Sequence, residues 1–409
     1  MSTSPKTIAV LATLDTKGRE AEYIREQLAA LGSGALLVDL GVLGEPDATP
    51  DVPRAEVARA GGTPLEEILA DPSRSSAAPV MAAGATQILL GRLERGELDG
   101  IIGLGGLQGT AACTQVMRAM PYGLPKIMVS TAASGDTSPY VDIKDITMMF
   151  SVGDILGLNP VMRKILANAA GAAHGMAQVD VALGVERGER PLIGMTNLGV
   201  LTEGAMKALE YFANAGYEVI VFHAVGSGGR AMEQMMREGI IGAVFDYALG
   251  EIADEVFDGL RAADAERLTV AGKLGLPQVL CPGGAEHVGL LVEPNCVPER
   301  WKAHKHVFHS PVVLAPRLRP GELVEVAKEI TKRLEHTTGR AVFMIPTRGT
   351  GRYAIEGGPL RDPEGDQVFF TELVERMPES IDVIERDAHA EDPEFVREAV
   401  QHLIRMIES

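Results

Sequence analysis

TIAVLATLDTKGREAEYIREQLAALGSGALLVDLGV, residues 7–42, reads as strand, helix, strand. TIAVLAT (7–13) is an unbroken apolar run of strand length, the mark of a buried strand. KGREAEYIREQLAALG (17–32) carries Ala21, Ile24, Leu28 and Leu31 at helical spacing on one face and stops at Gly32. ALLVDLGV (35–42) is the second apolar run. Strands separated by a helix pair in parallel and cross over right-handedly.

The same order continues outward. GIIGLGG (100–106), KIMVST (126–131) and ITMMFSV (146–152) are further strands. Residues 44–80, rich in Pro, Ala and Asp, are a long, partly helical excursion over the first domain. The pattern restarts after the turn-rich ERGERP (186–191) with LIGMTNLG (192–199), a helix over 203–216, YEVIVFHAVG (217–226), a helix over 228–239 and IIGAVFDY (240–247). LGLPQVLCPGG (274–284), HSPVVLAPRL (309–318) and RAVFMIPTRG (340–349) extend the second sheet. DPEFVREAVQHLIRMI (392–407) is an amphipathic helix for a sheet face. The expectation is an α/β protein of two Rossmann-like, doubly wound domains with mainly parallel sheets. They cover residues 1–185 and 186–409, with a ligand cleft between them.

The bulk numbers narrow the function. The 409 residues carry a formal net charge of −18, and only 4% are aromatic. Phosphate backbones are repelled by such a surface and base-stacking platforms are scarce, so no nucleic-acid partner is expected. The three cysteines, Cys113, Cys281 and Cys296, are far apart and form no CxxC pair, which suits a reducing compartment. No secretory leader and no apolar run of membrane-spanning length is visible, so a cytoplasmic protein without a membrane partner is expected.

In open parallel sheets ligands bind at the carboxyl ends of strands, and the polar, glycine-rich loops fall there. TLDTKGRE brings Thr13, Asp15, Thr16 and Lys17. GLGGLQGT brings Gly103, Gly105, Gly106, Gly109 and Thr110, glycines that let a backbone approach phosphate at a helix start. Its spacing is not GxGxxG, because Gln108 takes the third glycine's place, and no acidic residue ends a second strand about twenty residues later. There is no GxxxxGK[ST]. The plainer reading is a tight turn for helix–sheet packing. STAASGDT (130–137) offers Ser134, Gly135, Asp136 and Thr137 to phosphate or sugar oxygens, with Asp136 also able to hold a hydrated Mg2+; the alternative is a capped turn.

The second half repeats this chemistry. In HAVGSGGRAMEQ, Gly226, Gly228 and Gly229 precede Arg230, whose guanidinium suits a phosphate or carboxylate. Glu251, at a helix start, is a candidate acid/base or a helix-dipole partner. AHKHVFH carries His304, His306 and His309. His309 or His306 is a candidate acid/base, and Cys281 and His287 are loose metal candidates without a second ligand set. The late segment 346–366 reads as a lid or a long connection.

Three stretches together carry a resemblance: LATLDTKGREAEYIREQL; the run from GLGGLQGTAACTQVMRAMPYG through STAASGDTSPYVDIKDITMMFSVGDILGLNP to AAHGM; and GYEVIVFHAVGSGGRAMEQMMREG followed by EIADEV. The chain resembles the Tm-type ATP-binding domain family, named after a tomato protein that confers resistance to tomato mosaic virus. Its bacterial members were long filed as an uncharacterised family. The resemblance implies two Rossmann-like subdomains and ATP binding, with or without Mg2+, and no P-loop. The matching positions are Thr13, Asp15, Thr16, Lys17, Gly103, Gly105, Gly106, Gly109, Thr110, Ser134, Gly135, Asp136, Thr137, Gly226, Gly228, Gly229 and Arg230.

His309 matches a histidine that the family places before Asn-Pro, although Ser310 replaces the Asn here. Tyr247-Ala248-Leu249-Gly250 replaces a Thr-rich run, GGAEHVGL replaces an acidic Met-containing turn, and MTNLGVL replaces a Thr- and Pro-rich loop. In the plant protein the domain is fused to a TIM barrel resembling a phosphoenolpyruvate-hydrolase-type enzyme; a separate TIM-barrel partner is therefore expected, together with homo-oligomerisation. A small phosphorylated ligand is the leading expectation. A metabolic enzyme acting as hydrolase or C–C lyase through Glu251 or His309, and a non-catalytic regulatory module, are the alternatives.

Overall fold

The computed structural model describes residues 5–70, 74–181, 183 and 190–409, with the backbone alone at 74–76. The expected boundary at 185/186, most of ERGERP, and residues 71–73 of the early excursion lie outside these described residues. The chain divides into two compact units, Met1–Leu183 and Gly184–Ser409.

The first unit runs β1 (Thr7–Ala12), α1 (Leu14–Leu31), β2 (Gly34–Asp39), then α2 (Arg54–Ala60), α3 (Leu65–Ala70) and α4 (Arg74–Glu94). It continues with β3 (Gly100–Gly105), α5 (Leu107–Ala119), β4 (Lys126–Ser130), the single turn α6 (Ser138–Val141), β5 (Thr147–Phe150) and α7 (Pro160–Ala177). Its five strands are all parallel, in the order β2-β1-β3-β4-β5.

The unbroken apolar run of β1 has a physical reason: both faces are covered. Ile8, Val10 and Ala12 join a core with α1 and α7, whereas Ala9 and Leu11 join another with α4 and α5. Strand side chains alternate between faces, so one strand feeds both cores. Ala21, Ile24 and Leu28 of α1 are buried, each large one worth about 1.5–3 kcal/mol. Leu31, expected on that face, is 46% exposed, because the helix ends there. Gly32 closes it at φ 88°, and its N–H donates to the carbonyls of Ala29 and Leu28.

The second unit runs β6 (Ile193–Asn197), α8 (Thr202–Asn214), β7 (Val219–His223), α9 (Ser227–Arg237), β8 (Ala243–Ala248), α10 (Gly250–Val256), α11 (Val270–Leu274) and β9 (Gln278–Gly283). Then come β10 (Leu290–Leu291), β11 (His306–Ser310), β12 (Val313–Pro316), α12 (Pro320–Leu334), β13 (Ala341–Pro346), α13 (Pro363–Arg376), β14 (Ile381–Arg386) and α14 (Pro393–Glu408). The main sheet is parallel in the order β7-β6-β8-β9-β13-β14. Counted from its own first strand, this is 2-1-3-4-5-6. The two units therefore wind alike, and each reverses direction beside its first strand, where doubly wound sheets bind ligands.

One strand expectation fails. HSPVVLAPRL does not extend this sheet; β11 and β12 pair antiparallel, with β10 on the other side of β12, as a separate three-stranded sheet. Only Pro311 and Val312 separate β11 from β12, and so short a link permits antiparallel pairing alone. The sheet gains β14 instead, an edge strand whose IDVIER is half-exposed and has no unbroken apolar run. The terminal helix α14 packs as expected, burying Phe395, Val396, Ala399, Val400 and Leu403.

Candidate functional site

The carboxyl ends of β2, β1 and β3 surround a cavity of about 810 Å³. Thr13, Asp15, Thr16 and Lys17 line it from the start of α1, and Gly105, Gly106 and Gly109 from the start of α5. Leu40, Gly41, Val42 and Leu43 follow β2, and Ala77, Ala78 and Met81 of α4 close an apolar wall opposite. Asp154, in the loop after β5, reaches the same space. The cavity thus sits at the reversal point of the sheet, with an apolar end and a glycine–amide end.

The first loop is shaped by its own contacts. The hydroxyls of Thr13 and Thr16 hydrogen-bond at 2.8 Å. Lys17 leaves helical backbone (φ −129°, ψ 15°) inside the first turn, and its ammonium donates to the Ile155 carbonyl. Beneath them lies Asp39, which ends β2 and is 1% exposed. One carboxylate oxygen accepts from the Leu14 N–H at 3.1 Å and the Gly41 N–H at 2.8 Å, tying the β1 and β2 loops together. Burial pushes this carboxyl up from its ordinary range, against the opposing pull of the two amides and of Arg54. No acidic strand end follows GLGGLQGT. One stands instead after the second strand, in ALLVD, because the loops after β1 and β3 share the site.

The glycines of the third-strand loop divide by role. A Cβ on Gly103 would come 2.7 Å from the Cβ of Cys113, and one on Gly105 would come 2.8 Å from Gly109 Cα. These two allow α5 to pack close on the sheet. Gly106 is different: the nearest atom to its Cβ position, Thr131 Oγ1, is 3.8 Å away. It precedes α5 in extended backbone and has no side chain to cap the helix start. Thr110 is fully buried, its hydroxyl 2.7 Å from Ser130 Oγ, and acts within the core.

Ser134, Gly135, Asp136 and Thr137 do not line the cavity. Asp136 accepts from the Ser138 N–H at 3.0 Å and its hydroxyl at 2.7 Å. That is the capped turn, and these hydrogen bonds lower the Asp136 carboxyl from its ordinary value.

In the second unit the amides at the start of α9, after its second strand, are taken by the protein itself. One oxygen of Glu251 accepts from Gly226 N–H at 2.6 Å and Gly229 N–H at 3.1 Å, and the other from Arg267 Nε at 2.7 Å. Glu251 is fully buried, and burial pushes its carboxyl up against the pull of Arg267. It acts as the acceptor at the start of α9, not as a group open to substrate. Gly229 must be glycine, since a Cβ would stand 2.1 Å from a Glu251 oxygen and 2.4 Å from Arg267 Nε. A Cβ on Gly228 would stand 1.9 Å from the His223 carbonyl. Arg230 turns outward and donates to Asp264 at 3.0 Å.

Arg267, wholly buried, also forks onto Asp246 at 2.5 and 2.7 Å and meets Glu233 at 3.4 Å. Burial pushes the Glu233 carboxyl up to about 7, although Arg267 and the Leu268 and Val270 amides oppose it.

The histidines separate. His304 Nε2 meets Glu322 at 3.0 Å, and His306 Nδ1 lies 2.9 Å from the His304 carbonyl. His309 is exposed on β11, its Nδ1 2.9 Å from the Tyr353 hydroxyl. His287 pairs at 2.8 Å with Glu286. Burial raises the Glu286 carboxyl, but His287, Arg317 and the Thr350 hydroxyl together outweigh it and hold it at about 2. Among the described residues no three His, Cys, Asp or Glu side chains group as a metal site, and no helix is long and apolar enough to cross a membrane.

Comparison with known proteins places this architecture. Residues 6–182 match the N-terminal domain model of an uncharacterised protein family, UPF0261, and residues 190–407 match its C-terminal domain model. A UPF0261 protein of Clostridium tetani is 40% identical over 405 residues, covering 98% of this chain and 99% of the relative. The ToMV resistance protein Tm-1(GCR237) of Solanum lycopersicum is 32% identical over 314 residues, covering 76% of this chain and 42% of that protein. A phosphoglycerate kinase structure from Pyrococcus horikoshii aligns over 100% of this chain and 98% of its own at 10% identity, with a TM-score of 0.16, too low to indicate a shared fold. With both of its domains matched by family models and a relative alike from end to end, the chain belongs to the UPF0261 family.

Proposed function

We propose that the first unit binds ATP or a closely related phosphorylated nucleotide at the ends of β2, β1 and β3. One observation carries the reading: the cavity of about 810 Å³ coincides with the reversal point of a doubly wound sheet. It falls within the ~300–1,000 Å³ of small-molecule sites, largely apolar with a few placed polar groups. Its glycine end faces the start of α5, and Lys17, whose ammonium also holds the Ile155 carbonyl, lines the same cavity. Its apolar end suits a flat ring. The resemblance to Tm-type ATP-binding domains supports the same ligand class.

Calorimetric titration with ATP, with and without Mg2+, tests this. Saturable binding is expected, weakened by about tenfold or more in Lys17→Ala through loss of a charge-assisted contact. Gly106→Val should weaken it further by filling the open space over that residue. No saturable binding at millimolar ATP would sink the reading.

A second reading has the chain as a metabolic enzyme. His309 favours it, since it is exposed and hydrogen-bonded to the half-buried Tyr353, whose hydroxyl burial raises above its ordinary range. Turnover of a phosphorylated or carboxylated acid that is lost in His309→Ala while binding persists would support it.

A further inference from the structure

We propose that the Asp15 carboxylate receives the sugar hydroxyls of the bound nucleotide, so that the first unit selects ribonucleotides over 2′-deoxyribonucleotides. This rests on the nucleotide reading above.

Neighbouring strands lie about 4.8 Å apart, so the ends of β2, β1 and β3 make three steps across roughly 10 Å. Each step has its own chemistry. Above β2 it is apolar, with Val42 and Leu43 facing Met81 of α4. Above β3 it is glycine backbone, at Gly105 and Gly106. Above β1, in the middle, stands Asp15. A nucleotide carries its parts in the same order: flat ring, sugar, phosphate. With the ring on the apolar wall and the phosphate on Gly106, the sugar lies over β1.

Charge leads to the same place. An ionised carboxylate is an acceptor only, and it repels a phosphate, so Asp15 must face a donor. Among the described residues no hydrogen bond or ion pair engages its carboxylate. Lys17, two residues on, gives its ammonium to the Ile155 carbonyl. The loop after β2 packs against both oxygens of Asp15 through its glycines. Cβ atoms on Gly41 and Gly44 would each stand 3.2 Å from one of them, and Gly44 has φ 66°, where a side chain is strained. Asp39, bonded to the amides of Leu14 and Gly41, fixes the two loops that set this geometry. The sugar hydroxyls are the donors a nucleotide presents midway between ring and phosphate, and hydrogen bonds to a carboxylate are the strong kind.

The test is titration of the intact protein with ATP and with 2′-deoxy-ATP, each with and without Mg2+, in wild type, Asp15→Ala and Asp15→Asn. A site built to bond a hydroxyl rejects the analogue that lacks it, so wild type should prefer ATP by about tenfold or more. Asp15→Ala should bring ATP down to the affinity of the deoxy analogue and leave the latter within about threefold, with an unchanged melting curve. Equal affinities in wild type would overturn the proposal. So would equal weakening of both nucleotides in Asp15→Ala, and weakening seen only with Mg2+ would assign the carboxylate to a cation instead. If neither nucleotide binds wild type, the nucleotide reading itself fails; equal binding of both defeats the sugar assignment alone.

Discussion

The two units wind their sheets in the same order, yet they treat the reversal point in opposite ways. In the first unit the loops after β2, β1 and β3 stand apart around a cavity of about 810 Å³. In the second, the loop after β6 is buried through Leu198, Val200 and Leu201. Glu251, which follows β8, reaches the amides that follow β7, and so spans the strand between them. Where the first unit keeps a cavity between its loops, the second sets its own carboxylate on loop amides and pairs it with Arg267. The same topology thus makes an open cavity in one place and a sealed structural core in the other. Topology alone does not confer a site.

The sealed core is the place to break the comparison most severely. Arg267→Met leaves Asp246, Glu233 and Glu251 buried around no cation, which should cost about 3–5 kcal/mol. Trp301, the single tryptophan, is buried in the second unit, so its fluorescence in a denaturant titration reads that unit. A loss under about 1 kcal/mol would mean the carboxylates protonate without strain.

A matched glycine pair sharpens the contrast. Gly229→Ala pushes a methyl into Glu251 and Arg267 and should destabilise by about 1–3 kcal/mol. Gly106→Ala enters open space at an ordinary φ of −77° and should stay within about 0.5 kcal/mol. Thermal unfolding of both variants in parallel decides it, and comparable losses would show that the first reversal point is packed as well.

A smaller effect is expected from pH. The Glu233 carboxyl is pushed up to about 7 from an ordinary 4.5. The folded state therefore holds this proton more tightly than the unfolded chain. Its contribution to stability is fully present below about 4.5 and is lost as pH rises through about 7. Burial raises Glu251 as well, with the same sign. Glu286, held at about 2, acts only as pH falls below its ordinary range. Midpoints of unfolding from Trp301 fluorescence should thus fall as pH rises through about 7, less steeply in Glu233→Gln. An unchanged slope in the variant would remove Glu233 from the cause.

Much of this was legible along the chain. Apolar runs at β1, β3, β4, β8, β9 and β13 fixed where strands lie, since strands covered on both faces leave no polar alternation to confuse them. The first loop and the glycines at 105 and 106 could be picked out because a polar, glycine-rich strand end has few other uses. Asp136 and Glu251 show the limit. Both are acidic residues beside hydroxyls or glycines, and local spacing treats them alike. One caps its own turn in solvent, and the other crosses the sheet to a helix after a different strand.

The sequence by itself determined the two α/β halves, the parallel strands and the set of loops able to meet an anion, because these follow from local periodicity and from glycine and hydroxyl chemistry. Only the tertiary structure decided which loops stay open. It placed Asp39 under Asp15, left Gly106 with its nearest atom 3.8 Å from a Cβ position, and drew Glu251 and Arg267 together across 16 residues. The physical reason is that amides exposed at a helix start take whichever anion can reach them. In the second unit a buried carboxylate from another strand reaches them first.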